Sequence, residues 1–169
     1  QALPSRRRRG PTPVPAGTSS WPAGEAVFAL PRSGPPVFHP AFVVPRYGEE
    51  VVGGAEDLAR RTAEELTSRS YEATALTTCA LDHYTWKNHY PPGVEICNGV
   101  TVRRFPVVRP RSPERFGRIQ EYVFHHTHRE EDEIRWLEEE GPLVPSLVEY
   151  IRERRDAYDA FIFFSYRYY

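Results

Sequence analysis

Cysteine is almost missing from this chain of 169 residues: there are two, Cys79 and Cys97, and no C-x-x-C spacing. No disulfide framework can be built from them, and a reduced, cytoplasmic setting is expected. Long apolar runs are missing as well. The longest hold four or five residues, far below the roughly 20 that a membrane-crossing helix requires. No apolar segment follows the arginines near the start, as a secretory signal would need. Neither G-x-G-x-x-G nor G-x-x-x-x-G-K-[ST] occurs, which removes the dinucleotide fingerprint and the P-loop.

What is present is unevenly distributed. The formal charge is -1, but residues 1 to 40 hold five arginines against one acid, so the remainder carries the acidic excess. The same 40 residues hold 9 of the 17 prolines, mixed with Gly, Ser and the run Arg6 to Arg9, without helical or strand periodicity. Such a composition buries too little apolar surface to fold, so 1–40 is expected to be a disordered arm. Runs of four arginines are commonly solvated tails, and no nucleic-acid partner is expected from this one. The folded domain is expected over 41–169.

Within that domain, Ala41 to Val44 is a short apolar run, followed by a loop containing Gly53-Gly54. Ala55, Leu58, Ala59, Thr62, Ala63 and Leu66 then fall on one helical stripe, and Glu56 and Asp57 occupy the first turn, where acids complement the helix dipole. Glu72 to Thr78 reads as a strand, so strand, glycine loop, helix and strand open a parallel α/β unit. Asn98-Gly99, between VEIC and VTVRRFPVV, is a strong two-residue hairpin signal. Ser112-Pro113 starts a helix, with Ser as cap and Pro at the first position. REEDEIRWLEEE makes a second helix, and Leu143 to about Tyr158 a third, with its stripe on Leu143, Leu147 and Ile151. The closing AFIFFSY is apolar enough for a strand covered on both faces. The run FIFFSYRYY reads as a strand cut at its exit, so the chain is expected to be incomplete. The expected fold is a Rossmann-like α/β domain with a mostly parallel sheet and an inserted β-hairpin.

Gly53 and Gly54 stand at the N-terminus of a helix, where free N–H groups can face an anion. The competing reading is a tight turn that lets helix and sheet pack closely. The glycines alone do not choose between them.

PRYGEEVVGGAEDLARRTAEEL resembles the start of the N-terminal domain of the retaining glycosyltransferases of family 4. TTCALDHYTWKNHYPPGVEICNGVTVRRFPV is similar to that domain's continuation, and EEEGPLVPSLVEYIRERRDAYDAFIFFSYRYY to its later helix and strand. The likeness covers roughly 41–169. It implies a GT-B enzyme in which two Rossmann-like domains face across a cleft and move a sugar from a nucleotide donor to an acceptor with retention. It also implies that Gly53 and Gly54 lie against the donor diphosphate. The partners would be a nucleotide-sugar donor and a sugar or lipid-linked acceptor. Peripheral contact with a membrane is compatible with this, and no cofactor is expected.

Ligands of open α/β sheets gather beyond the carboxyl ends of the strands. By that rule Asp82, His83, Tyr84 and Trp86, with Tyr166, Tyr168 and Tyr169 at the exit of the last strand, should look into the acceptor cleft, where aromatic faces suit a sugar ring. Each has an alternative as a packing aromatic or loop residue. The family's donor-binding half, with its basic residue and E-x7-E glutamate pair, has no counterpart here. Glu131 and Glu139, and Glu130 and Glu138, have the spacing but belong to an acidic helix and read as a solvated face. His125, His128 and Asp132 share a helical face compatible with metal ligation, yet surface histidines in a charged helix are commoner, and no metal is expected. His83 and His89 are candidates for proton chemistry without a visible partner. Alone, such a half-domain should be inactive. The rival reading is a non-catalytic α/β binding or scaffold module in which the glycines serve packing.

Overall fold

A computed structural model describes residues 38–165. Five strands form one sheet in the order β3-β4-β2-β1-β5: β1 Pro40–Val43, β2 Thr74–Thr78, β3 Gly93–Cys97, β4 Val100–Phe105 and β5 Ala160–Phe163. β1 runs parallel to both β2 and β5, and β2 parallel to β4, while β3 is antiparallel to β4. The helices are α1 Gly54–Ser68, α2 Pro113–His125, α3 Glu130–Glu140 and α4 Pro145–Glu153, with a 3-10 turn at Arg155–Ala157. This is the mostly parallel α/β fold with an inserted hairpin that the pattern predicts. Most of the expected arm, including Arg6 to Arg9, lies outside the described residues. The sheet already includes Pro40, and His39 is tied to Asp159 through a backbone N–H bond of 2.6 Å.

β1 explains why the run Ala41 to Val44 is apolar throughout. Its odd residues Ala41 and Val43 join a cluster with Leu76, Trp86, Phe105, Val144 and Leu147, the last on α4. Phe42 and, just past the strand, Val44 join a cluster on the α1 face with Tyr47, Ala59, Ala63, Ala75, Val100 and Val102. A strand sandwiched in this way has no solvent face to place polar residues on.

The apolar stripe of α1 is rotated from its expected position. Ala59 and Ala63 are buried and Leu66 half-buried, but Leu58 is 59% exposed. Two alanines one turn apart let the helix axis approach the sheet closely, and the large residues Phe42 and Tyr47 fill the space beneath. Leu58 points elsewhere. The helix expected over Leu143 to Tyr158 is shorter: Pro145 opens it, it stops at Glu153, and the 3-10 turn carries the chain to β5. Val144 and Leu147 are buried, whereas Leu143 and Val148 face outward.

The turn signals hold in detail. Asn98 and Gly99 both take positive φ, 50° and 82°, as a two-residue hairpin demands. A Cβ on Gly99 would come within 2.8 Å of Thr67 Cγ2 on α1, so the hairpin tip rests against that helix. The Asn98 amide donates to Glu49 at 2.9 Å and Glu64 at 3.0 Å. At the start of α2 the Ser112 hydroxyl accepts from the Arg115 N–H at 3.4 Å.

Candidate functional site

The carboxyl ends of β1 and β2 lead into two loops that carry most of the candidate residues. In the first, Gly53 is the residue before α1 and has extended backbone, φ 168°, which any residue could adopt. Space is what excludes a side chain there. A Cβ would run into the Glu56 carboxylate and lie 3.1 Å from the Arg46 guanidinium. Gly54 differs, since a Cβ there would meet nothing within 4 Å. No side chain caps α1; its first backbone bond runs from the Asp57 N–H to the Gly53 carbonyl at 2.9 Å, which leaves the preceding amides at an uncapped helix start.

The residue that organises this turn is Arg46. Its side chain is only 9% exposed. Nε and Nη2 donate to Glu56 Oε1 at 3.0 and 2.6 Å, Nη2 also donates to the Val52 carbonyl at 3.2 Å, and Nη1 to the Leu81 carbonyl at 3.3 Å. One guanidinium therefore binds the glycine loop, the first turn of α1 and the start of the second loop. An arginine just past an apolar run and its proline, ten residues before a glutamate in a helix's first turn, was the available sequence signal.

In the second loop, Asp82 Oδ1 accepts from the Tyr84 and Thr85 N–H groups at 2.8 and 2.7 Å, and Oδ2 accepts from the Thr85 hydroxyl at 2.8 Å. Burial opposes its charge, but the N–H and hydroxyl of Thr85 and the N–H of Tyr84 outweigh it and hold the carboxyl below its ordinary value. Asp82 is thus the clasp of its own turn. That turn sets His83 and Tyr84 outward with their rings 4.2 Å apart, and Tyr84 is 67% exposed. Trp86 goes the other way: it is 1% exposed, and its indole N–H donates to the Glu140 carbonyl at 2.8 Å. Buried in the α4-side core, it anchors the loop and presents no face to a cleft. Tyr166, Tyr168 and Tyr169 lie outside the described residues.

Among the described residues neither the His83 nor the His89 ring makes a hydrogen bond; their rings pack on Tyr84 and Tyr90. Among those residues no group of three or more His, Cys, Asp and Glu is set to hold a metal. His125 is exposed and His128 is engaged elsewhere, with the His126 carbonyl and Glu133. The acidic helix α3 is not a uniformly solvated face. Glu139 is 7% exposed and held by Arg109 at 3.0 Å and Arg115 at 2.7 Å, because the last turn of α3 packs under the arginine-rich segment that follows β4. Glu130, Glu131 and Glu138 are exposed.

A second buried arginine supports the first loop from below. Arg104 donates to Glu95 at 2.6 Å and to the Tyr47 carbonyl at 2.9 Å, with its guanidinium 3.9 Å from the Tyr90 ring centroid. Among the described helices none is long and apolar enough to cross a membrane. Comparison with protein-family models, with curated proteins and with solved structures finds no match.

Proposed function

We propose that this chain is the acceptor-side, N-terminal domain of a GT-B retaining glycosyltransferase resembling family 4. The observation that carries the reading is Arg46, which ties the glycine turn at the start of α1 to the loop that holds Asp82, His83 and Tyr84. Both loops leave the carboxyl ends of adjacent parallel strands, where an open α/β sheet binds its ligands. In this reading the amides at Gly54 and Ala55 face the donor diphosphate at the positive end of the helix dipole. Gly54, with open space around it, allows the phosphates to approach the backbone. His83 and Tyr84 offer a ring face and a polar edge to a sugar or lipid-linked sugar acceptor. Asp82 and Trp86 shape that loop from within. Transfer itself requires a second domain, because the leaving diphosphate must be stabilised from both sides of the cleft.

The test is an amide-resolved titration of the chain with uridine, guanosine and adenosine diphosphates at millimolar concentration. The expected result is a selective shift of the Gly54 and Ala55 signals. Unmoved signals at both residues with all three nucleotides would remove the reading's support.

One observation favours the non-catalytic module. The Glu56 carboxylate already covers Gly53 and pairs with Arg46, so the turn is partly closed by its own protein. Under that reading the glycine exists to admit Glu56, and nucleotide diphosphates leave the amides untouched.

A further inference from the structure

The turn between α2 and α3 is fastened by one imidazole. His128 Nδ1 is 2.9 Å from the His126 carbonyl, and its Nε2 is 2.9 Å from Glu133 Oε1. Both partners are acceptors, and a neutral imidazole carries a single N–H. Two such bonds can coexist only in the imidazolium. Among the described residues the other contacts of the turn are longer or more local: the Tyr122 hydroxyl donates to the Thr127 carbonyl at 3.5 Å, the Arg129 N–H donates to Asp132 Oδ2 at 3.0 Å within the start of α3, and the Phe124 and Trp136 rings meet edge-on at 5.5 Å. α2 has no buried residue, so the hairpin it forms with α3 relies on such contacts.

We propose that His128 is a protonation-dependent clasp on this hairpin: as imidazolium it joins the His126 carbonyl to the Glu133 carboxylate, and on losing its proton it releases one of them and loosens the turn. The charged groups that act on it are Glu133 and Asp132, both on α3; the chain beside it also carries His125, His126 and Arg129, with the His126 ring stacked on Tyr122. The backbone carbonyl of His126, then the carboxylate of Glu133, raise the imidazole above its ordinary 6.5. The sign follows: the clasp contributes fully below the ordinary value and is lost as pH rises through the raised one.

The test follows the imidazole signals and amide exchange of the full chain from about pH 5 to about pH 8.5, a range that brackets an ordinary histidine. His128 is expected to keep its proton to higher pH than the ordinary 6.5. Exchange over residues 127–132 should be slower than in a His128→Gln chain at low pH and converge with it as His128 deprotonates. Glu133→Gln should bring the His128 midpoint down toward the ordinary 6.5 and move the convergence with it. His128 titrating at or below the ordinary 6.5 in the native chain, or an exchange ratio to His128→Gln that stays flat across the titration, would overturn the proposal.

Discussion

Arg46 and Glu56 face each other across the glycine turn at 2.6 Å, with side chains 9% and 13% exposed. Breaking such a pair from one side leaves a charge stranded in a low-dielectric pocket, which costs far more than an exposed ion pair contributes. Glu56→Gln is therefore expected to lower unfolding stability by about 3 kcal/mol. Urea denaturation measures it. A loss no larger than that of an exposed pair, under about 1 kcal/mol, would show that the guanidinium is satisfied by the Val52 and Leu81 carbonyls alone.

The two glycines should respond in opposite ways. Gly53→Ala places a methyl group against the Glu56 carboxylate and should destabilise the chain by loosening the Arg46 contacts. Gly54→Ala adds a helix-favouring residue in open space and should be neutral or stabilising by up to about 1 kcal/mol. If the proposed diphosphate site is real, Gly54→Ala should also weaken the nucleotide-induced amide shifts without any loss of stability. Paired thermal melts and titrations on both variants separate packing from binding.

Asp82 gives a pH signature. Its carboxyl is held below the ordinary 3.8, so it contributes stability above that value, and the contribution disappears as pH falls through the lower folded value. The stability difference between the native chain and Asp82→Asn should be constant near neutrality and shrink only below about pH 4. A difference that shrinks already well above the ordinary 3.8 would show that the Asp82 carboxylate is not the group responsible.

The two thiols should differ in reactivity. Burial pushes Cys79 up to about 11, and it is fully enclosed, whereas Cys97 at the end of β3 is partly exposed. The thiolate is the reactive species. Under native conditions iodoacetamide should label Cys97 first, and Cys79 only at the rate of unfolding. Mass spectrometry of a timed reaction reads both sites.

Some of this fold was legible because a local rule decided it. Asn98-Gly99 fixes a hairpin through its own positive φ values, and Ser112-Pro113 fixes a helix start through one hydroxyl and one ring. The unbroken apolar character of β1 follows from its two covered faces. The site was less legible because long-range partners set it. Arg46 reads as an ordinary loop residue until Leu81, 35 positions away, supplies a carbonyl. Trp86 reads as a sugar-facing aromatic until α3 brings up the Glu140 carbonyl 54 residues on. The stripe of α1 was displaced for a similar reason: helical periodicity identifies a candidate face, but the sheet beneath selects the alanine edge of it. Glu139 looks solvated in sequence because its partners Arg115 and Arg109 lie far back along the chain, the nearer one 24 positions earlier.

The hairpin tip carries a practical lesson for anyone altering this chain. Surface turns of small polar residues usually accept inserted sequence. Here Gly99 sits against Thr67 and Asn98 holds Glu49 and Glu64, so the tip acts as a wedge driven under the flank of α1. A tag or linker grafted between those two residues would lever that helix from the sheet and take the glycine turn at its other end out of register.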